Sequence, residues 1–177
     1  VLIGKLHAGY LLAGHNHHFG RRGKGDMRTI EECAASTGMR FERVEGVRSA
    51  EGYISSTLIR EALLDGRLER ANEMLGYCYH LKGTVVGGRK LGKQLGFPTA
   101  NIDPIDSHKL IPGTVVYAVE AIVEGRALRG MLSIGYNPTV NKTPGKRSIE
   151  VHLFDFNEDI YGREIRIIFR FRMRDEK

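Results

Sequence analysis

The chain has 177 residues, of which 41% are hydrophobic and 27% are charged, and these ordinary globular proportions argue against a disordered or fibrous protein. Its net charge of +6, from 27 basic and 21 acidic residues, favours anionic ligands such as phosphates, nucleotides or nucleic acid, although the same excess also promotes solubility. No apolar run approaches the roughly 18 residues that span a bilayer, and Cys33 and Cys78 have neither metal-ligand nor disulfide spacing, so we expect two reduced, partly buried thiols in a cytosolic protein.

The first 47 residues contain two short apolar runs and one helical pattern. Residues 11–13 are apolar and end at Gly14, which predicts a buried strand. Apolar side chains recur at helical spacing between residues 27 and 37, and Gly38 is a natural stop for that helix. These apolar side chains are Met27, Ile30, Cys33 and Ala34. Residues 40–47 alternate again, and the order strand, helix, strand predicts an α/β unit with a parallel sheet.

Two further helices are predicted, and each has a recognisable end. Residues 55–57 are Ser-Ser-Thr, which are good N-cap residues, and Gly66 ends the helix that they open. The apolar side chains near one face of this helix are Leu58, Ala62 and Leu63. The second helix ends at Gly76. A pair of helices joined in this way serves either as an end cap or as a linker.

After Tyr77 the pattern changes to strands alone. The strand-like segments are residues 79–86, 114–123, 126–134, 147–154 and 164–171, separated by Gly, Pro and Asn. Several strands with turn signals and no intervening helix predict an antiparallel barrel or sandwich. We therefore expect a domain boundary near residue 77, with one domain at residues 1–76 and a second at residues 77–177.

A glycine-rich stretch at residues 87–102 reads GGRKLGKQLGFPTANI. The spacing from Gly87 to Gly92 and Lys93 fits the phosphate-binding P-loop, but Gln94 stands where that loop needs Ser or Thr. The Gly-Phe-Pro that follows also prevents the helix that a P-loop opens, so we reject a P-loop. Bare backbone N–H groups in such a loop can still approach phosphate oxygens, while a flexible hairpin loop remains the structural alternative.

Two small oxygen-bearing side chains, Thr99 and Asn101, follow the glycine-rich stretch two residues apart. Residues i and i+2 of an extended segment share a face, so these oxygens can converge on one hard cation. A turn with satisfied polar side chains is equally compatible with the pattern. In the later segment RSIEVHLF, the same periodicity places Glu150 on a polar face, where a solvated carboxylate is the simplest interpretation.

Residues 77–177 resemble the riboflavin kinases almost continuously. The resemblance is carried, in order, by the segments GKQLGFPTANI, KLIPGTVVY, GMLSIGYNPTV and EVHLFDFNEDIYG, and by residues 171–176 after the last strand. The resemblance implies an all-β antiparallel Greek-key barrel that transfers the γ-phosphoryl group of ATP to riboflavin, with Mg²⁺ and ATP required. The barrel's C-terminal end is expected to be truncated, because the chain stops within the last motif.

The same resemblance implies residue roles. Glu150 falls at the position of the catalytic base, Thr99 and Asn101 at those of the Mg²⁺ ligands, and Arg174 at a flavin contact. The resemblance also implies that the glycine-rich loop binds ATP, through Gly87, Gly88, Lys90, Gly92, Lys93, Gly96 and Pro98.

The first part of the chain resembles the nucleotidyltransferase domain that precedes the kinase in bifunctional bacterial enzymes, the FAD synthetases. The segment ISSTLIR matches the second signature of that superfamily, and GHNHHFG resembles a glycine-rich loop of the family, with His15 where an aromatic is usual. This implies the C-terminal part of a Rossmann-like FMN adenylyltransferase domain, an α/β remnant. The implied nucleotide-binding residues are Asn16, Ser55, Ser56, Thr57 and Arg60, since a helix N-terminus and an arginine favour phosphate.

The first His-containing signature of that superfamily lies upstream of the segment where this chain begins. We therefore expect this chain to be a piece of a longer protein, and we expect it not to make FAD from FMN. The expected ligands are riboflavin, FMN and ATP. We expect no binding to nucleic acid or to a membrane, and we expect the protein in the cytoplasm. The sequence does not indicate an oligomeric state.

Two alternatives remain at this point. A basic barrel can bind RNA or single-stranded nucleic acid through aromatic platforms, but Trp is absent and no strand interleaves aromatic and basic residues on one polar face. The histidines at residues 15, 17 and 18 can also bind a transition metal. No nearby Cys or carboxylate completes such a site, so we do not expect structural zinc.

Overall fold

The structure is a computed structural model that describes residues 2–50, 52–87, 99–136 and 147–175. It divides into two compact units, Val1–Ile54 and Ser55–Lys177. The helices are α1 (Leu2–Leu6), α2 (Met27–Thr37), α3 (Ser56–Leu64) and α4 (Leu68–Leu75), with a 3₁₀ turn at Arg21–Gly23. The strands are β1 (Tyr10–Gly14), β2 (Arg40–Val44), β3 (Arg48–Ser49), β4 (Gly52–Tyr53), β5 (His80–Val86), β6 (Ala100–Pro104), β7 (Val115–Val123), β8 (Arg126–Tyr136), β9 (Arg147–Leu153) and β10 (Glu164–Asp175). Within the described ranges, no helix combines the length and the apolar character needed to cross a membrane.

The first unit contains the predicted strand, helix and strand. β1 and β2 pair in parallel, and α2 connects them, which confirms the α/β unit. The carboxylate of Asp26 caps α2 by accepting a hydrogen bond of 3.0 Å from the Thr29 N–H, and this bond holds the pKa of Asp26 below its usual value. Gly38 ends the helix in the left-handed conformation, with φ of 71°.

Two expectations for the first unit were wrong. β1 forms, but it is not a buried strand: Ala13 is buried whereas Leu12 is 54% exposed, because alternate residues of a strand face opposite sides. The thiol of Cys33 is exposed, whereas that of Cys78 is half-buried as expected. The buried face of α2 consists of Ile30 and Ala34, and Cys33 lies at its edge because it is only three residues from Ile30 along a helix with 3.6 residues per turn. The short helix α1 was not predicted, since five residues carry too little periodicity.

The second unit is a closed barrel of six antiparallel strands. The strands follow one another in the order β10, β5, β6, β9, β8, β7, and β10 closes the barrel by pairing with β7. β7, β8 and β9 are consecutive neighbours and β10 returns beside β7, which is a Greek key. No helix interrupts the described part of residues 79–171, so the predicted all-β barrel is confirmed.

The barrel interior is filled by inward side chains from all six strands. Among the largest fully buried ones are Tyr117, Phe169, Leu81, Leu132, Ile134, Ile165 and Ile167. The rings of Tyr117 and Phe169 meet edge to face, with centroids 5.2 Å apart. The Tyr117 hydroxyl donates to the carbonyl of Gly113 at 2.9 Å, and its burial raises the pKa of Tyr117 above the ordinary value.

α3 and α4 cover one end of this barrel. Their buried side chains Ala62, Leu63, Leu68 and Ala71 belong to the same hydrophobic core as the strands. Leu58, predicted on the buried face of α3, is 40% exposed, and its neighbour Ile59 packs on the core instead. The turn between the helices lies so close to Gly113 that an added Cβ there would stand 2.4 Å from the Leu64 carbonyl oxygen.

Polar contacts also attach α4 to the barrel. The Asn72 side chain accepts a hydrogen bond of 2.7 Å from the Tyr79 N–H and donates one of 3.2 Å to the Phe169 carbonyl. Glu69 accepts a further bond of 2.9 Å from the Arg172 N–H, in the part of β10 where the pairing with β7 shifts register. Of the two roles that the sequence left open for the helical pair, end cap or linker, these contacts favour the end cap.

Candidate active site

Glu150 lies on the outer face of β9. Ile149, Val151 and Leu153 are buried inside the barrel, while Ser148, Glu150 and His152 are half-buried on the other face. This confirms the alternation that the sequence predicted, because successive residues of a strand point to opposite faces.

The pairing of β6 with β9 brings Asn101 directly opposite Glu150. Ile102 points into the core, so Asn101 shares the outer face with Glu150. Thr99, just before β6, is exposed, and its hydroxyl donates to Oε2 of Glu150 at 3.4 Å. This distance is longer than a normal O–H···O bond of about 2.5–3.0 Å.

These three side chains offer oxygen atoms of the kind that a hard cation prefers. A hydroxyl, an amide carbonyl and a carboxylate together suit Mg²⁺, which usually takes only a few protein oxygens and fills its remaining positions with phosphate and water. In the described part of the chain, no ion pair involves Glu150, so no neighbouring cation there neutralises its charge. The donor set therefore fits both a metal and a proton acceptor.

The predicted ATP loop begins at the same place. β5 pairs with β6 so that Val86 stands opposite Asn101. Gly87 follows Val86 in the chain, so the loop begins one residue beyond the position that faces Asn101. A Cβ added to Gly87 would lie 3.4 Å from the ring of Tyr161. The remaining predicted loop residues Gly88, Lys90, Gly92, Lys93, Gly96 and Pro98 lie outside the described residues.

Arg174, the predicted flavin contact, lies at the same level of the barrel as Glu150. The register runs from Glu150 to Ser133 on β8, then to Val116 on β7 and Arg174 on β10. Three strand spacings of about 4.8 Å place Arg174 roughly 14 Å from Glu150 along the sheet. Arg174 is exposed, and its guanidinium donates to the Asp175 carbonyl at 3.1 Å.

Ser133 stands directly across from Glu150 on β8, and it was not among the site residues predicted from the sequence. Its neighbours Leu132 and Ile134 are fully buried, so Ser133 faces outward. The signal was present as a polar residue between two aliphatic ones, but a strand pattern alone does not reveal which residue of another strand it will face.

The residues implied in adenylyl transfer fall in both units. Asn16 is exposed in the turn after β1, and its carbonyl oxygen lies 3.0 Å from Nδ1 of His18. Ser55 caps α3 by accepting a hydrogen bond of 3.3 Å from the Leu58 N–H. Ser56, Thr57 and Arg60 are exposed in the first turns of α3.

The histidine-rich segment makes ring contacts. His15 stacks on Tyr53 with centroids 4.9 Å apart, and His17 stacks on Phe19 at 6.1 Å. Over the described residues, no three His, Cys, Asp or Glu side chains are grouped closely enough to hold a metal ion.

Two concavities in the described regions lie away from Glu150. One, of about 380 Å³, is lined by Lys82, Ile122, Arg166 and neighbouring residues on the outer face of β5, β10 and β7. The other, of about 250 Å³, lies in the first unit against Leu11, Phe19 and Ile30. The two segments that flank the Glu150 site in sequence, 88–98 and 137–146, fall outside the described residues.

Family models and curated relatives agree on what the chain resembles. The riboflavin kinase model matches residues 75–177, and the FAD synthetase model matches residues 1–58. The bifunctional riboflavin kinase/FMN adenylyltransferase of Bacillus subtilis is 41% identical over 174 residues, which are 97% of this chain and 54% of that protein. The protein of the same name in Listeria monocytogenes is 44% identical over 164 residues, covering 92% of this chain and 51% of its own length.

A solved structure also superposes well. A crystal structure described as a macrolide-efflux protein from Streptococcus pneumoniae has a TM-score of 0.85 at 33% identity, covering 96% of this chain and 54% of that one. The chain thus spans about half the length of the relatives that it matches. Neither family model and neither curated relative supports the nucleic-acid-binding alternative. With a family model covering more than half of its residues, the chain belongs to the riboflavin kinase family.

Proposed function

We propose that the protein phosphorylates riboflavin with MgATP at the outer face of β6 and β9. The observation that carries the proposal is the strand register that sets Asn101 opposite Glu150, with the Thr99 hydroxyl beside the same carboxylate. These are the positions at which the riboflavin kinase resemblance implies the metal ligands and the base.

In this proposal Glu150 is the general base. The terminal hydroxyl of the ribityl chain attacks the γ-phosphorus of ATP, Glu150 accepts the hydroxyl proton, and the bond from the γ-phosphorus to the β-phosphate oxygen breaks to release ADP. Thr99 and Asn101 would hold Mg²⁺, which, when bound, neutralises phosphate charge during the transfer. Phosphoryl transfer depends mainly on such positioning and electrostatics, so a small set of correctly placed side chains suffices.

Substrate contacts complete the proposal. The loop that begins at Gly87 is proposed to cover the ATP phosphates with its backbone N–H groups. Arg174 is proposed to contact the flavin from β10. The site takes small molecules rather than nucleic acid, and we propose the cytoplasm as its compartment, where both thiols would stay reduced.

We further propose that the whole protein adenylylates FMN to FAD. Ser55, Ser56 and Thr57 open α3, and the N–H groups and dipole of a helix N-terminus favour phosphate. Arg60 follows one turn later, and Asn16 belongs to the loop after β1. The efflux named for the Streptococcus pneumoniae protein gives no argument for transport here, because function follows the site rather than the fold.

A single-turnover assay tests the kinase proposal. Enzyme in excess is mixed with riboflavin and MgATP, and FMN is separated from riboflavin and measured by its fluorescence. Stoichiometric FMN with release of ADP is expected, and none without Mg²⁺. A protein that binds riboflavin and MgATP yet forms no FMN would contradict the proposal.

A further inference from the structure

Glu150 has two cross-strand neighbours on the outer face of the barrel. Asn101 stands opposite it on β6, and Ser133 stands opposite it on β8. Both neighbours are half-buried, short and polar. Directly opposed residues of antiparallel strands have Cβ atoms about 4.5–5.5 Å apart, which a serine hydroxyl and a glutamate carboxylate can bridge with one hydrogen bond.

The neighbours of Glu150 on β6 and on β8 have different proposed roles. If the proposed function holds, the oxygens of Thr99 and Asn101 are directed to the metal. The hydrogen bond from Thr99 to Glu150 is already long, at 3.4 Å. β8 contributes no predicted metal ligand, and Ser133 is the residue of this strand that faces Glu150.

We propose that Ser133 is a positioning residue, whose hydroxyl donates to one carboxylate oxygen of Glu150 and directs the other toward the ribityl hydroxyl. A glutamate side chain rotates about several bonds, and a base works only when its lone pair lies within about 2.6–3.2 Å of the proton that it removes. β8 supplies a rigid mount, because Leu132 and Ile134 on either side of Ser133 are fully buried in the barrel. This inference rests on the proposed kinase function.

The test compares Ser133→Ala in the full-length protein with wild type by single-turnover kinetics. The rate of FMN formation should fall about 10- to 100-fold, the worth of one hydrogen bond to a charged group, while the KM for riboflavin and the affinity for MgATP stay unchanged. Ser133→Thr keeps the hydroxyl and should restore most of the rate. Ser148→Ala is the matched control, since that hydroxyl on β9 donates to the Gly135 carbonyl rather than to Glu150.

A double-mutant cycle separates positioning from general support of the fold. In a Glu150→Gln background, Ser133→Ala should cause little further loss, because the base that it positions is gone. An equal loss in both backgrounds, a rate within twofold of wild type for Ser133→Ala, or no rescue by threonine would overturn the role of Ser133. If Ser133→Ala does not fold, Ser133→Cys, with similar volume and a weaker donor, answers the same question.

The two proposals fail in different ways. A wild-type rate in Glu150→Gln, or no FMN from the wild-type protein, removes the kinase mechanism and the Ser133 inference with it. A large loss in Glu150→Gln together with an unaffected Ser133→Ala removes only Ser133.

Discussion

At the proposed site, neutral oxygens bind the metal and one carboxylate accepts the proton. Thr99 and Asn101 carry no charge, so they bind a divalent cation weakly on their own. Mg²⁺ usually completes its coordination with substrate phosphates and water. We therefore expect the metal to enter with ATP, and Glu150 to serve as the proton acceptor beside it.

Replacing the base should separate chemistry from binding. We expect Glu150→Gln to lower phosphorylation of riboflavin by about 10²–10⁴-fold while leaving MgATP affinity nearly intact, because glutamine keeps the shape but cannot take the proton. Turnover and nucleotide affinity are measured on the same preparation. Glu164→Gln is the control, since that carboxylate lies on β10, on the opposite side of the barrel. Near wild-type turnover in Glu150→Gln would make Glu150 a surface carboxylate.

Removing a metal ligand should look different. We expect Thr99→Ala and Asn101→Ala to raise the Mg²⁺ concentration for half-maximal turnover by at least about tenfold, since even indirect changes at metal sites cost 10–100-fold in affinity. Magnesium titrations at saturating riboflavin measure this, and Asn157→Ala, an exposed loop residue, is the matched control. An unchanged magnesium dependence would assign both side chains to turn structure instead.

The sequence predicted the direction of side chains within one strand, but it did not predict which residues face each other across strands. The outward direction of Glu150 and Asn101 follows from two-residue periodicity within each strand. Their meeting across strands came only from the family resemblance, because register depends on the whole barrel. Ser133 was missed for that same reason.

At the scale of elements, local signals set what was predictable. α2 was placed from Met27 to Thr37 because Gly38 ends it, and the structure adds the Asp26 cap. β6 was not counted among the strands, since its only buried residue is Ile102 and it ends at Pro104. β10 runs past Phe171 to Asp175 because two register shifts let it continue where simple alternation breaks.

The attachment of α4 to the barrel should be measurable. Asn72→Ala removes both hydrogen bonds to the barrel backbone and leaves partly buried polar groups on Tyr79 and Phe169 without that partner. We expect the free energy of unfolding to fall by about 2–4 kcal/mol in denaturant titrations. Glu73→Ala, exposed on the same helix, should change it by less than about 0.5 kcal/mol. Equal values for the two variants would show that the hydrogen bonds of Asn72 do not stabilise the attachment of α4.

At the scale of the whole molecule, the helical pair belongs with the barrel by packing. Compact units divide at Ile54, whereas the change from mixed periodicity to strands alone occurs near residue 77. A sequence pattern indicates where the type of secondary structure changes. It does not indicate which of two hydrophobic cores an amphipathic helix covers. The grouping of residues 55–76 with the first domain therefore stays a prediction, and the packing argues for a kinase unit that begins at Ser55.

Two shortened proteins test this boundary. A protein comprising residues 55–177 should be more stable than one comprising residues 77–177 by at least about 3 kcal/mol, because the shorter one loses the buried Leu63 and Leu68, each worth about 1.5–3 kcal/mol. Thermal and denaturant unfolding of the purified pair give the comparison. Indistinguishable stabilities would show that the barrel does not need its helical cap.

The position of β10 in the barrel also has a consequence for synthesis. This strand pairs with both β5 and β7, so the sheet has two open edges until residues 164–175 have left the ribosome. At about 5–20 residues per second, the interval between the emergence of β5 and that of β10 is roughly 5–20 seconds. During that time the nascent chain exposes unpaired strand edges, which are templates for aggregation. The late strand that closes the barrel thus makes the newly synthesised protein more dependent on chaperones than the finished protein is.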